Sequence, residues 1–413
     1  MNLSHRFERC KNLLEPWLDF LEIEALKHYP NHLSGELKKW YHSLENLSDE
    51  QLWKFQTELD VSLIESDSLK KLILAIKEVT SFKEAEFPSA NLPDNLLRKI
   101  KPKKKHEIDS ILQLVLNIGN IDSILDIGGG LGYLSSALVH GYDRKAFCVD
   151  SNEKLQSAGI TRLKKWDQDS LDKVKFVHAF VNDHFHLSEF DKEMNRLVIG
   201  LHSCGELGTS LVKMVPAREY ESLILASCCY HKLNGAYNIS NRSKQERVSF
   251  STNALHLASR CYRDESFKEF QDKIMLRKYR YALHLLNYSF GRTEFEAIGN
   301  TDLGDYQSSF YHYVKKYSSH ISLSQEEINS FYTSPKTKAS LKEIILSDII
   351  RAMFGRLIEV YLILDRGLYL IDHGYNVQLY EAFDRKFSPR NLVILCYKDT
   401  SSSHNEKEKD RGK

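Results

Sequence analysis

The stretch Ser123-Ile-Leu-Asp126-Ile-Gly128-Gly-Gly130-Leu-Gly132-Tyr-Leu134 decides the fold. Its opening, Ser123 to Ile127, is an apolar run too short for a helix and bounded by glycine, so it reads as a buried strand. Glycine at every second position from Gly128 lets the backbone turn sharply and lets a ligand approach where a Cβ would otherwise stand. A helix then opens at about Leu131 to Tyr133, and its free N–H groups face the same spot. Strand, glycine turn and helix N-terminus together form the ligand-binding corner of a doubly wound α/β sheet.

Upstream, Ile108, Ile111, Leu112, Val115 and Leu116 mark one face of a helix that Gly119 can stop. Downstream, strands and helices alternate. Ala146 to Asp150, Val174 to Val181, Arg196 to Leu201 and Ser222 to Ser227 are near-continuous apolar runs, as expected of parallel strands covered on both faces. Residues 236–340 are polar, aromatic and helix-leaning. A long apolar helix over Ser347 to Ile371 follows, in which Asp365 and Arg366 interrupt a run that is buried rather than membrane-spanning. Asn376 to Phe383 and Asn391 to Lys398, parted by the turn-rich Asp384 to Arg390, read as a terminal hairpin.

A parallel α/β sheet closed by an antiparallel hairpin is the arrangement of class I methyltransferases: a Rossmann-like seven-stranded sheet. Here it is expected to carry an N-terminal helical region and a helical insert. The implied organisation is a helical region at 1–95 and strands one to five at 96–235. The insert at 236–340, the last helix and hairpin at 341–399 and a disordered tail at 400–413 follow. Within 1–95, Pro16 must kink or restart the first helix, Ser48 to Gln51 has capping-box spacing, and the Pro88 to Pro93 segment reads as a linker.

A dinucleotide-binding G-x-G-x-x-G fits poorly. Begun at Gly128 it needs glycine where Tyr133 stands, and begun at Gly130 it meets Ser135. S-adenosylmethionine fits better. Asp126, two residues before the first glycine, can accept from the cofactor ammonium, and Gly128, Gly130 and Gly132 make room for it. Asp150, about 20 residues beyond the glycines at the end of the second strand, suits both ribose hydroxyls. Asn182 and Asp183, after the third strand, suit the adenine amino group, although either acid or amide could equally be a strand-end cap.

Strands four and five run into Leu201-His202-Ser203-Cys204-Gly205 and Ser227-Cys228-Cys229-Tyr230-His231, bringing two imidazoles and three thiols to one sheet edge. Three readings stay open there. His202 or His231 could serve as a general base, since imidazole titrates near working pH. His202, Cys204, Cys228 or Cys229, and His231 could bind zinc. Cys204 or Cys228 could attack a pyrimidine ring. The general base ranks first, zinc second and the covalent cysteine third, so the expected catalytic set is His202, Cys204, Cys228 and His231 with no metal assigned. The plainer reading is that such cysteines pack as small hydrophobes. Tyr230, Lys105 and His106 are candidate pocket residues, the last two from the basic run Lys101-Pro-Lys-Lys-Lys105-His106-Glu107 that leads toward the cofactor strand. The Asn-Pro-Pro-Tyr motif of adenine N6 methylation does not follow strand four.

The stretches Pro102 to Glu107, Asp126 to Leu134, Gly200 to Leu207, Ser227 to Leu233 and Ser388 to Leu392 resemble the methyltransferase-like protein 25 family, which includes a member described as ribosomal RNA adenine dimethylase domain-containing. The His-x-Cys-Gly and Cys-Cys-x-His elements are also similar to those of the tRNA ribose 2′-O-methyltransferase with a CCCH-type finger. The resemblance implies dependence on S-adenosylmethionine and an RNA or protein methyl acceptor, with RNA slightly favoured. A non-catalytic S-adenosylmethionine-binding scaffold, docking partners through its helices, is the alternative.

Composition bounds these readings. A net charge of +1 supplies no global field for nucleic acid, so any such site must be a local patch. The charged N-terminal residues Arg6, Glu8 and Arg9 are unlike a signal peptide, and no apolar run reaches the ~20 residues of a membrane span. Seven cysteines with no secretory signal suit a reducing compartment, cytosol or nucleus.

Overall fold

In this computed structural model the apolar runs form one eight-stranded sheet. The structure describes residues 1–398 except 23, 30–33, 86–91, 93–95, 97–99, 236, 262, 293, 295–297, 300 and 319. The expected tail at 400–413 and nearly all of the expected linker at 88–93 lie outside the described residues.

The strands are β1 (Lys83–Glu84), β2 (Ser123–Ile127), β3 (Lys145–Asp150), β4 (Val174–His178), β5 (Arg196–Cys204), β6 (Ser222–Cys228), β7 (Asn376–Glu381) and β8 (Leu392–Tyr397). Their order across the sheet is β1-β7-β8-β6-β5-β2-β3-β4. All neighbours are parallel except β8, which runs antiparallel to both β6 and β7. This is the expected class I methyltransferase order, with the short β1 added at the edge beyond the hairpin. From β2 the chain winds outward through β3 and β4, then returns to the other side of β2 as β5 and β6. The crevice beside the carboxyl end of β2 is therefore a topological switch point, where open α/β sheets bind ligands.

Every residue of β2 is buried, as are Ala146 to Val149 in β3 and Leu197 to Gly200 in β5. Ile124, Leu197, Ile199 and Ile224 share a core with Ile108, Ile111 and Leu138 from the covering helices. Each such side chain stabilises the fold by roughly 1.5–3 kcal/mol relative to exposure. The helix Pro102–Val115 starts with proline in its first turn, where a missing N–H costs nothing.

The chain divides into two compact units. One comprises Met1–Glu15, Val79–Arg263 and Arg356–Lys413 and holds the whole sheet. Within it the helix Gly355–Asp372, apart from its first residue, buries four charged side chains: Arg356, Glu359, Asp365 and Arg366. Each is matched. Arg356 meets Glu359 at 2.8 Å and Asn391 at 2.9 Å, and Glu359 lies 3.5 Å from Arg390. Asp365 accepts from the backbone N–H groups of Ile239 and Ser240.

The other unit, Pro16–Glu78 and Asp264–Gly355, is helical among its described residues. Its core joins Leu283, Leu286, Tyr313, Val314 and Ile344, with Tyr279 and Phe310 meeting edge to face at 5.6 Å. The Ser48 capping box forms as its spacing predicts and starts the helix Asp49–Glu58. The first helix stops at Leu14, and a 3-10 turn over Glu15–Trp17 contains Pro16 before the chain restarts as a helix at Leu18.

Candidate active site

At the end of β2 the Asp126 carboxyl is 1% exposed and accepts from Ser135 Oγ at 2.6 Å. Burial pushes its pKa up to about 6 against that hydrogen bond and the nearby Lys104 charge. The glycine turn is tightly built. Gly132 has φ +69°, and a Cβ there would stand 2.8 Å from the Phe176 ring. Gly129, whose necessity the every-second-position pattern does not reveal, has no room either: its Cβ would lie 2.5 Å from Cys148 Sγ and 2.8 Å from Asp126 Oδ2.

Asp150 braces this turn from β3. Its Oδ2 accepts from Gly130 N at 3.0 Å and its Oδ1 from Asn152 N at 2.8 Å. Each carboxylate oxygen can accept more than one bond, so both retain capacity for a ligand. The next helix, Glu153–Trp166, contributes two further braces that sequence reading missed. Gln156 Nε2 donates to Gly130 O at 3.0 Å, and Arg162 donates to Gly132 O at 3.1 Å while its guanidinium covers the Tyr133 ring. Nothing in the residue types announces them, because their role depends on the helix docking over the turn.

β4 ends at His178, earlier than the sequence suggests: Ala179 N makes a last bond to Asp150 O at 3.1 Å, and the register with β3 goes no further than Asp150 and His178. Asn182 and Asp183 thus stand in the following segment. Asn182 is exposed and caps His184 N at 3.0 Å, and Asp183 is half-buried, 3.8 Å from the His184 ring.

The second half of the site lies where β5 and β6 end. A bulge between Leu201 and Ser203 puts His202 in the left-handed region at φ +61°. A non-glycine residue there is uncommon, and at a sheet's ligand edge such strain is often functional. His202 Nε2 lies 2.9 Å from Oε1 of Glu107, a carboxylate buried on the helix Pro102–Val115. Burial alone would raise the Glu107 pKa, but the imidazole, Ser388 and Lys103 together hold it below its ordinary value.

His231 is fixed by Ser259. The serine Oγ gives its only proton to Leu255 O at 3.0 Å, accepts from His231 N at 3.1 Å and meets His231 Nδ1 at 3.0 Å. When the serine proton goes to Leu255 O, Nδ1 is the donor and the lone pair of the neutral ring stands on Nε2. The ring also stacks on His256 at 4.4 Å.

Cys204 and Cys228 are direct neighbours across β5 and β6, with sulfurs 3.1 Å apart, and Cys229 Sγ lies 3.6 Å from Cys228 Sγ. The Cys228 thiol pulls the Cys204 pKa down to about 5, while the Cys204 sulfur and burial push that of Cys228 up.

These residues surround a cleft of about 340 Å³ lined by Lys103, His202, Cys228, Cys229, His231, His256, Ser259, Arg260 and Ser388 to Arg390. Three expected pocket residues lie elsewhere. Tyr230 is fully buried and donates to Glu359 Oε1 at 3.3 Å, because the 3-10 turn Tyr230–Lys232 directs it into the core. Lys105 is exposed, and helical spacing instead puts Lys103 on the cleft and Lys104 beside the Tyr133 ring. His106 Nε2 accepts from Asp384 N at 2.9 Å, tying the helix to the turn between β7 and β8.

The sequence profile described as "Methyltransferase domain" matches residues 103–236, which hold β2 to β6, the glycine turn and the ends of β5 and β6, but not Ser259 or the other cleft residues from 256 onward. Solved structures also show similarity to parts of the chain, at low identity. The glycopeptide N-methyltransferase MtfA, complexed with sinefungin, is 15% identical, with 33% of this chain and 62% of that one covered and a TM-score of 0.24. The E. coli protein YJHP is 15% identical over 32% of this chain and 55% of that one, with a TM-score of 0.24. A SAM-dependent methyltransferase from Geobacter sulfurreducens, bound to S-adenosyl-L-homocysteine, is 13% identical over 60% of this chain and 92% of that one, with a TM-score of 0.26. The chain therefore spans less than two thirds of the length of the first two. No helix among the described residues is long and apolar enough to cross a membrane.

Proposed function

We propose that this chain is an active S-adenosylmethionine-dependent methyltransferase whose acceptor is RNA in preference to protein. The catalytic domain is the sheet-bearing unit, split by helical sequence. In this reading Asp126 takes the cofactor ammonium, the glycine turn takes the methionine end and Asp150 the ribose hydroxyls. Asn182 and Asp183 lie toward the adenine. His231, with its Nε2 lone pair, is the general base for the acceptor, and His202 is oriented by Glu107. Tyr230 and His106 act only through packing and position, and Lys105, in solvent, takes no part in the cleft.

The observation that carries this reading is the cleft itself. It opens at the carboxyl ends of β5 and β6, beside the switch point, and carries Lys103, Arg260, Arg390 and three imidazoles with no carboxylate among its described lining residues. Glu107 lies 3.7 Å from Lys103 and 2.9 Å from His202, and Glu359 lies 3.5 Å from Arg390, but these acids sit behind a lining that is itself basic. A basic lining suits a phosphate-bearing acceptor, and a local patch supplies it despite the near-neutral chain.

Calorimetry with S-adenosylmethionine tests the cofactor half. Submillimolar binding is expected, weakened in Asp150→Ala; no binding, or binding indifferent to that change, refutes it. Labelled-methyl transfer into separated RNA and protein fractions tests the other half. Label in RNA that disappears in His231→Ala is expected. Label only in protein overturns the acceptor, and cofactor binding with label in neither fraction favours a scaffold.

A further inference from the structure

We propose that Cys204, Cys228 and Cys229 together hold one zinc ion, with its fourth coordination position turned toward the cleft. This goes beyond methyl transfer and does not depend on it.

The backbone brings these thiols together by two departures from regular strand geometry. Consecutive residues of a strand point to opposite faces, so Cys228 and Cys229 would ordinarily diverge. Cys229 instead turns left-handed at φ +49°, and its sulfur returns to within 3.6 Å of Cys228 Sγ. In β5 the bulge at His202 shifts the alternation, so that Cys204 meets Cys228 directly with sulfurs 3.1 Å apart. All three sulfurs lie within 4.8 Å of one another. Tetrahedral zinc with Zn–S bonds of about 2.3 Å sets its sulfurs about 3.8 Å apart, so the Cys204–Cys228 pair would open by about 0.7 Å and the Cys228–Cys229 pair by about 0.2 Å to admit the ion.

The loops carrying the thiols are locked to each other. Arg366, fully buried, donates to Ser227 Oγ at 2.5 Å and Thr209 Oγ1 at 3.2 Å and reaches Gly205 O at 3.5 Å. It thereby grips the residue before Cys228 and the residue after Cys204. Gly205 packs so closely that a Cβ there would sit 2.7 Å from Lys232. A preorganised set of three soft ligands selects zinc over the hard cations.

The thiols are half-buried, and Cys228 and Cys229 line the cleft. Three protein ligands with an open position are the pattern of a zinc that meets solvent or substrate, whereas structural sites are closed by four. A Cys204–Cys228 disulfide is the competing use of the pair. It would release two protons and two electrons to an oxidant and leave Cys229 unused.

The test uses the full chain, purified under reducing conditions without chelator. Elemental analysis should find one zinc per chain. Cobalt substituted into the metal-free protein should show a near-ultraviolet sulfur-to-metal charge-transfer band of three-thiolate intensity and the visible bands of a tetrahedral ion. Cys204→Ser and Cys229→Ser should each weaken zinc by more than the roughly 10–100-fold that loss of a supporting partner costs. Cys10→Ala, distant in the core, should bind like wild type, and circular dichroism verifies that each variant is folded. Absence of both zinc and the charge-transfer band in folded, reduced wild type overturns the proposal. So does zinc retained by a folded Cys204→Ser/Cys229→Ser double variant, or a Cys204–Cys228 disulfide found after rapid alkylation. None of these readouts involves S-adenosylmethionine, so failure here leaves the methyltransferase reading standing, and the converse also holds.

Discussion

If the buried carboxyl at the end of β2 takes the cofactor ammonium, as proposed, cofactor binding is sensitive to pH in a direction that can be derived. Burial raises the Asp126 pKa from 3.8 to about 6. The carboxyl is then about 90% ionised at pH 7 and about 10% ionised at pH 5. If only the ionised form pairs with the cofactor ammonium, affinity for S-adenosylmethionine falls roughly tenfold between those values, and binding takes up or releases protons accordingly. Because the folded-state pKa lies above the ordinary one, the effect on stability has the opposite sense. The group's contribution to folding is present in full below about pH 3.8 and is lost as pH rises through about 6, an effect of at most about 3 kcal/mol. Asp126→Asn, which keeps an acceptor for Ser135 Oγ, should therefore bind cofactor poorly at every pH. Without cofactor it should unfold at higher urea than wild type at pH 7. Calorimetry from pH 5 to pH 7 in buffers of different ionisation enthalpy measures the first effect, and urea denaturation the second. Wild-type affinity that is flat over this range, or an Asp126→Asn variant with the same pH response, would refute the reasoning.

Gly132→Ala combines a left-handed backbone with a Cβ 2.8 Å from Phe176, so it should cost more than about 2 kcal/mol and abolish cofactor binding. Gly128→Ala, at φ +76° with open space around the new methyl, should cost only about 1 kcal/mol; thermal melts of the pair give the comparison. Asp365→Ala leaves the N–H groups of Ile239 and Ser240 without their buried acceptor, and denaturant titration should register a loss of about 2–4 kcal/mol. Glu107→Gln removes the charge 2.9 Å from His202, so methyl transfer should drop by roughly 10–100-fold while calorimetric cofactor affinity stays within a factor of two. Since interactions hold the Glu107 pKa low, the carboxylate's contribution to stability is present above its unfolded pKa and lost as pH falls through the folded value. The difference in urea midpoint between wild type and Glu107→Gln should therefore vanish at acid pH.

Much of the fold is local information, and so it is legible in one dimension. Apolar runs of strand length, glycines where a turn needs them and Pro16 at a helix break depend on each residue and its near neighbours. The corner proposed to hold the cofactor is legible for the same reason: Asp126, the glycines and the helix start lie within one continuous stretch, and Asp150 ends the adjacent strand. The convergence of His202, Cys204, Cys228 and His231 also follows from chain order once β5 and β6 are parallel neighbours.

What only the tertiary structure decided are the relations between distant segments and between side chains of similar type. Sequence could not tell which lysine of 101–105 faces the cleft, because helical phase relative to the sheet sets Lys103 there and Lys105 in solvent. The pairing of Glu107 with His202 and of Ser259 with His231 spans loops whose closure no local pattern encodes. Two left-handed residues, His202 and Cys229, gather three thiols that regular alternation would have separated. Residue types supplied the chemistry, but backbone irregularities and long-range packing chose which groups share it, because those interactions exist only once distant segments are brought within a few ångströms.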